Sequence, residues 1–116
     1  MDKLDVAFFC SETGNEPVRE WLQSLTKGDK KSIGDDIKTV QFGWPIGMPL
    51  VDHLGKGLWE IRIKLKLRRI ARVVFFMDDS TMILVNGFIK KTQKTPKQEL
   101  ILALSRKQLY DKQQHK

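Results

Sequence analysis

The sequence has little cysteine and no long apolar segment. Cys10 is the one cysteine among 116 residues, so no internal disulfide can form, which is in keeping with a reducing compartment. No run of about 18 apolar residues occurs, so no membrane span is expected. Charged residues at Asp2, Lys3 and Asp5 interrupt the start of the chain before an apolar region forms. We therefore expect no signal peptide and a cytoplasmic location.

Several common catalytic signatures are also missing. The sequence contains no Cys/His spacing of a metal site, no Walker-type glycine loop and no dinucleotide fingerprint. None of its serines has the context of a nucleophile elbow. Asp78 and Asp79 lie in a predicted turn, where turn chemistry explains them more simply than metal binding. We expect neither a metal nor another cofactor.

Positive charge is abundant, but it is concentrated in one half of the chain. Residues 1–55 contain six Lys and Arg against nine Asp and Glu, a net charge of −3. Residues 56–116 contain fifteen against five, a net charge of +10, and the sum is the overall +7. Such an asymmetry indicates an anionic partner for the second half.

Within that half, residues 59–68 alternate between apolar and charged side chains, which is the period of a half-buried strand. The apolar face would carry Trp59, Ile61, Ile63, Leu65 and Leu67. The solvent face would carry Glu60, Arg62, Lys64, Lys66 and Arg68. A second basic cluster, formed by Lys90, Lys91 and Lys94, follows the last predicted strand. A sheet that brings these cations together would bind a polyanion.

The rest of the pattern predicts an α+β fold. Two helices follow an opening strand at residues 4–9, and strands at 70–77 and 82–89 follow the basic strand. Thr95-Pro96-Lys97-Gln98 has the form of a capping box that starts a last helix. Segregated strands and helices predict a helical hairpin and a carboxy-terminal helix packed on a small antiparallel sheet. We expect one domain over residues 1–116, with a polar, frayed tail at about 111–116.

A cluster of cations can cleave RNA without a metal ion. The ribose 2′-hydroxyl attacks the adjacent phosphorus when a base removes its proton, cations stabilise the phosphoryl oxygens, and an acid protonates the leaving 5′-oxygen. Arginine suits the stabilising task because its planar fork matches two phosphate oxygens. Lysine can act as acid or base where neighbouring cations lower its pKa. Arg62, Lys64 and Lys66 form such a row of neighbours.

Two further residues near this row leave alternatives open. His53 could move a proton, although a lone histidine is more often structural or simply exposed. Glu60 could form a surface ion pair with Arg62 or Arg72. Alternatively, Glu60 orients an arginine for phosphate binding, and we favour this orienting role over that of general base.

Three segments carry a family resemblance. G-L-W-E-I-R-I at 57–63, R-I-A-R-V-V-F-F at 69–76 and N-G-F-I-K-K-T-Q-K-T-P at 86–96 resemble the phage-associated RelE/HigB-like toxins of type II toxin–antitoxin modules, within the RelE/ParE superfamily. The resemblance implies a compact α+β fold and a ribosome-dependent endoribonuclease that cuts mRNA without a metal and so inhibits translation. Family members often have a glycine-containing turn where this chain has Lys66-Leu67-Arg68-Arg69.

The resemblance also implies site residues and partners. It points to catalytic roles for Arg62, Lys64, Arg72, either Lys91 or its neighbour Lys90, and, through a loose match, His53. Lys66, Arg68, Arg69, Lys90 and Lys94 would bind RNA. Tyr110 is a weaker counterpart of a stacking tyrosine. The implied partners are the ribosome with its mRNA, and a cognate antitoxin that is a helix-turn-helix DNA-binding protein.

Two alternative functions remain at this stage. A ParE-like relative would inhibit DNA gyrase by binding and would cleave no RNA, so its cations would contact protein. A plain nucleic-acid-binding module would use the same cations without toxicity.

Overall fold

A sheet between two layers of helices forms the centre of the protein. The computed structural model describes residues 3–114, and within that range the chain forms five strands and three α-helices. In chain order they are β1 (Asp5–Phe8), α1 (Pro17–Gln23), α2 (Lys27–Gly43), β2 (Val51–Gly55), β3 (Leu58–Lys64), β4 (Ile70–Asp78), β5 (Thr81–Lys90) and α3 (Lys97–Gln114). The predicted α+β class is confirmed.

The strands follow the order β1-β5-β4-β3-β2 across the sheet. The pairs β2–β3, β3–β4 and β4–β5 are antiparallel, and β1 joins β5 in parallel. Parallel pairing suits β1 because the two helices and three strands that separate it from β5 provide a long crossover. The sheet is therefore mostly antiparallel, with one parallel edge.

Each face of the sheet has its own apolar core. On one face, Ile33 and Ile37 of α2 pack with Ile61, Val73 and Phe75 of the strands. On the other face, α3 contributes Ala103, which packs in a cluster that includes Val74, Phe76 and Val85. The middle strands are therefore covered on both sides, and the outer face predicted for β3 is only partly open to solvent.

The loop between α2 and β2 is anchored from the first core. The Trp44 ring meets the rings of Trp59 and Phe75 edge to face, at centroid distances of 5.4 and 5.5 Å. At the end of the loop, the backbone N–H of Arg62 donates to the carbonyl oxygen of Leu50 at 2.8 Å. The loop is thereby held against β3, next to the residues of the candidate site.

Two element boundaries differ from the sequence-based prediction. β3 ends at Lys64, and Lys66–Arg68 form a 3-10 turn in which Leu67 has φ 62°, so the basic strand does not reach Arg68. The helix α3 continues through Gln114, so residues 111–114 of the predicted frayed tail are helical, and 115–116 lie outside the described residues. Within residues 3–114, no helix has the length and apolar character to cross a bilayer.

Candidate functional site

The charged residues of β3 and β4 lie in rows across the α3 face of the sheet. Arg62 is directly opposite Arg72, which is opposite Phe88 on β5. Two residues further along, Lys64 is opposite Ile70, which is opposite Lys90. Because side chains two apart on a strand share a face, these rows place the cations on one surface.

A carboxylate lies beneath this surface. Glu60 and Arg72 are both fully buried, at 0% exposure. Glu60 Oε1 is 3.7 Å from Nη1 of Arg62 and 3.9 Å from Nε of Arg72. The Thr95 hydroxyl donates a hydrogen bond of 2.6 Å to Glu60 Oε2. One carboxylate therefore interacts with two guanidinium groups and with the segment that leads into α3.

Burial dominates the electrostatics of Glu60. Removal from water raises the pKa of the Glu60 carboxyl, while the hydrogen bond from Thr95 and the charges of Arg72 and Arg62 act in the opposite direction. The alternative of a surface ion pair is wrong because the carboxylate is inaccessible to solvent. The favoured role, in which Glu60 orients an arginine, stays a prediction, and Glu60 lies close to both guanidinium groups.

Arg72 is covered by the β5–α3 connection, residues 91–96. Its Nη2 donates to the carbonyl oxygen of Thr92, and its guanidinium carbon is 5.8 Å from the ring centroid of Phe88. Burial lowers the pKa of Arg72. Its Nε and Nη1 atoms have no hydrogen-bond partner among the described residues, and neither has Glu60 Oε1. Arg72 thus forms the floor of the site and is not on its surface.

Of the two arginines beside Glu60, Arg62 is the one that reaches solvent, with 16% of its side chain exposed. Its Nη2 donates to the carbonyl oxygen of Gln93 at 2.5 Å and to Oε1 of the same residue at 3.2 Å. It lines an open cavity of about 230 Å³ together with Met48, Pro49, Lys64, Ile70 and Gln93. The guanidinium is therefore both fixed in place and accessible to a ligand.

The exposed Lys64 lines this cavity, and Lys90 is opposite Ile70, another lining residue. Lys64, Lys90, Lys91 and Lys94 are all exposed, and so are Lys66 and Arg68 in the 3-10 turn. Arg69 differs, because its guanidinium forms two hydrogen bonds with the Asp29 carboxylate, at 2.8 and 3.1 Å. This pairing lowers the pKa of Asp29. Of the predicted RNA-binding residues, Arg69 is thus occupied by a structural ion pair.

The structure does not bring His53 and Arg62 together. His53 is directly opposite Trp59 in the β2–β3 ladder, and the two ring centroids are 4.8 Å apart. Trp59 belongs to the core on the α1 and α2 side, so His53 lies on the opposite face from Arg62. Tyr110 is likewise engaged elsewhere, since its hydroxyl donates to Asp78 Oδ2 at 2.5 Å.

The sequence did not reveal the contributions of Thr92, Gln93 and Thr95. Their backbone and side-chain groups approach β3 and β4 only because the chain folds back over the sheet after β5. The sequence did single out Thr95, but as part of a capping box, in which its hydroxyl would bond to the start of the helix. In the structure, the hydroxyl donates to Glu60 instead. Among residues 3–114, no group of three His, Cys, Asp or Glu side chains is arranged to hold a metal ion.

Comparison with known proteins gives one family match. The family model described as "Phage derived protein Gp49-like (DUF891)" matches residues 20–108. This range includes Glu60, Arg62, Arg72 and the β5–α3 connection that covers them. A comparison with curated proteins found no match.

Proposed function

Because the chain belongs to the family of phage-derived Gp49-like proteins, we propose that it is the toxin of a type II toxin–antitoxin module that cleaves mRNA on the ribosome. The observation that carries the proposal is the fixed and accessible guanidinium of Arg62. Glu60 and Gln93 hold it at the edge of an open cavity that the exposed Lys64 also lines. This arrangement suits a phosphodiester, whose charge increases in the transition state of cleavage.

The proposed reaction is a transesterification. The 2′-oxygen of a ribose forms a bond to the adjacent phosphorus, and the bond from phosphorus to the 5′-oxygen breaks, leaving a 2′,3′-cyclic phosphate and a 5′-hydroxyl. Arg62 stabilises the phosphoryl oxygens. Lys64 lines the same cavity and, with its amine in the neutral form, is the proposed acceptor of the 2′-hydroxyl proton. Lys91, which is exposed in the β5–α3 connection, is the proposed donor to the 5′-oxygen.

Arg72 and Glu60 have a supporting role in this proposal. Neither reaches solvent, so neither contacts RNA in this conformation. Arg72 is directly opposite Arg62 in the ladder, and Glu60 Oε1 lies between their guanidinium groups. Glu60 balances two neighbouring positive charges that would otherwise repel each other. The pair thereby positions Arg62, and its effect on cleavage is indirect.

The decisive experiment compares Arg62→Ala with Arg19→Ala after induction in growing cells. Arg19 provides a matched loss of one cation, because it is exposed on α1 and pairs with Glu16 at 3.1 Å. Sequencing of mRNA 5′ ends should show cuts within translated codons for the wild type and Arg19→Ala. Arg62→Ala should reduce cleavage about 100- to 1,000-fold, the usual effect of losing one transition-state donor. Arg62→Lys should be intermediate, because it keeps the charge without the fork.

Three outcomes would contradict the proposal in different ways. Intact mRNA together with an SOS response would favour a gyrase inhibitor. Normal growth after induction of the wild type would indicate a nucleic-acid-binding module without toxicity. Full cleavage by a folded Arg62→Ala variant would be consistent with the proposed activity but would show that Arg62 is not part of the catalytic site. Circular dichroism of each purified variant provides the control for folding.

The partners are tested separately. Purified protein should cleave a defined mRNA only when ribosomes are added, because the proposed site needs RNA held in the decoding centre. Co-expression of a small helix-turn-helix protein encoded beside this chain should restore growth, since we propose that this protein is the antitoxin. An adjacent protein that fails to bind the toxin would argue against a two-component module.

A further inference from the structure

The turn that follows β3 is strained and presents an apolar side chain to solvent. Leu67 and Arg68 have φ angles of 62° and 59°, the left-handed region that glycine adopts without a steric penalty. Neither residue is glycine or asparagine. Leu67 is 80% exposed. Local packing therefore does not explain why a leucine occupies this position.

The base of this turn is firmly held. Within the leucine turn, residues 66–69, Arg69 Nε donates to the carbonyl oxygen of Lys66 at 3.1 Å, and the Leu65 N–H donates to the carbonyl oxygen of Arg69 at 2.9 Å. The ion pair between Arg69 and Asp29 fixes the same base to α2. The exposed side chains of Leu67 and Arg68 are thus presented by a rigid frame.

A cavity of about 610 Å³ lies beside the leucine turn. Its lining includes Ser32 of α2, Lys64, Lys66 and Leu67. Asp29 also lines it, but Arg69 neutralises that carboxylate. The volume is within the range of ligand-binding clefts. Lys66 and the neighbouring Arg68 are exposed, so the electrostatic character of this end of the molecule is positive.

This cavity adjoins the cavity at Arg62. Lys64 lines both of them, and it lies two residues beyond Arg62 on β3, about 7 Å along the strand. A single extended chain of phosphates could therefore pass Arg62, Lys64 and the leucine turn in sequence. An acidic protein surface would also fit these cations, but their row begins at the cavity in which RNA is the proposed ligand, and this continuity favours RNA.

We propose that the leucine turn is a second RNA contact, in which Leu67 packs against an unpaired base and Lys66 and Arg68 bind flanking phosphates. Apolar side chains are used in this way when they insert between bases. Arg69 is a positioning residue, because it holds the turn and its own fork is occupied. The inference rests on one part of the proposed function, namely that the protein binds RNA.

The chain offers matched controls for each side chain. Arg68→Gly and Lys56→Gly both remove one cation at a left-handed position, since Lys56 has φ 54° in the turn between β2 and β3. Leu67→Asn and Phe42→Asn both replace an exposed apolar residue, and Phe42 is 61% exposed at the end of α2. Asparagine and glycine tolerate the left-handed region, so melting temperatures of the leucine-turn variants should not fall.

The probe is a fluorescently labelled, unstructured 12-nucleotide RNA, and binding is followed by anisotropy at two salt concentrations. Arg68→Gly should bind about fivefold more weakly, and its salt slope should fall by about 0.7 because one phosphate contact is lost. Leu67→Asn should bind about fivefold more weakly with an unchanged salt slope, as expected for a base contact. Lys56→Gly and Phe42→Asn should bind like the wild type.

The outcomes separate this inference from the proposed function. If Arg62→Ala weakens binding while Leu67→Asn and Arg68→Gly do not, the second contact is overturned and the site at Arg62 stands. If the wild type does not bind the 12-nucleotide RNA, the second contact is overturned; if it also cleaves no mRNA when ribosomes are present, the proposed function fails as well. If Leu67→Asn loses toxicity but binds RNA normally, the leucine contacts a protein and the inference is overturned.

Discussion

The hydroxyl of Thr95 donates a hydrogen bond of 2.6 Å to the buried carboxylate of Glu60, 35 residues earlier in the chain. This bond connects the β5–α3 connection to the strand that it covers. Gln93 and Thr92, in the same connection, accept from Arg62 and Arg72. A six-residue segment therefore fixes both arginines and the carboxylate between them, and the shape of the site depends on it.

Thr95→Val should destabilise the protein. Valine has nearly the same shape as threonine, but it leaves a carboxylate oxygen buried without its donor, which costs about 1–3 kcal/mol. Urea denaturation should show this decrease in the free energy of unfolding. Thr92→Val is the matched control, since its exposed hydroxyl donates to the carbonyl oxygen of Lys94 at 3.3 Å, and its effect should remain within about 0.5 kcal/mol. If both variants lost the same free energy of unfolding, the hydrogen bond from Thr95 to Glu60 would contribute no more to stability than the exposed bond of Thr92.

Glu60 and Arg72 should depend on each other. Arg72→Met alone leaves Glu60 buried with one guanidinium partner fewer, and breaking a buried pair costs about 3–5 kcal/mol. Replacing both residues, in Glu60→Leu with Arg72→Met, should recover most of this loss, because buried ion pairs can be exchanged for apolar groups with little cost. A double-mutant cycle measured by urea denaturation checks the coupling. Additive losses would mean that the two charges do not interact.

The double variant should nevertheless lose activity. Without Glu60, the Arg62 guanidinium is held by Gln93 alone, so its orientation toward phosphate is less defined. We expect ribosome-dependent cleavage to fall by about tenfold or more, while the fold remains intact. Full cleavage by a folded double variant would show that Arg62 needs no carboxylate to position it.

Lys64 should matter more for cleavage than Lys91. Lys64 lines the cavity that Arg62 also lines, whereas Lys91 is exposed in the connection above it. Lys64→Ala should reduce the cleavage rate about 100-fold and alter its pH dependence, as expected for a group that moves a proton. Lys31→Ala, which removes an exposed cation that pairs with Asp35 on α2, provides the control and should leave the rate unchanged. A larger loss of rate in Lys91→Ala than in Lys64→Ala would contradict this order of importance.

Deprotonation of Tyr110 should lower the free energy of unfolding at alkaline pH. Burial and the hydrogen bond to Asp78 raise the pKa of Tyr110 to about 12 from its usual 10. Above pH 10 the unfolded chain loses this proton while the folded protein keeps it, so the stabilisation is full below pH 10 and is lost as the pH rises to 12. Two pKa units correspond to about 2.7 kcal/mol, and because Tyr110 is only partly buried, solvent screening should reduce the loss to roughly 1–2 kcal/mol. Tyr110→Phe should show a flatter stability profile between pH 10 and 12, and parallel profiles would contradict the assignment.

The alternation in the basic strand predicted the two faces of β3 correctly between residues 59 and 63. Ile61 and Ile63 belong to the core beside α2, and Glu60 and Arg62 point to the other face. The same pattern did not predict solvent exposure correctly. Alternation shows on which face of the sheet a residue lies, but it does not show whether another segment covers that face. Glu60 and Arg72 are buried because the chain after β5 crosses over them.

His53 and Arg69 illustrate the same limit in other ways. His53 is close to the basic strand in sequence, but its register with Trp59 places it on the opposite face from Arg62. Arg69 carries a charge that appeared available for RNA, yet Asp29, 40 residues away, occupies it. Local periodicity predicts neither the register of two strands nor an ion pair between distant residues. Both depend on which segments of the chain pack against each other in the folded protein.

The sequence by itself determined the α+β class, the concentration of cations in the second half and the strand that carries Arg62 and Lys64, since composition and periodicity are local properties. Only the tertiary structure decided which cations are accessible. It buried Arg72 with Glu60, left Arg62 at a cavity edge, and ended β3 early so that Leu67 projects from a strained turn. These differences arise from pairing between distant strands and from the segment that folds back over them.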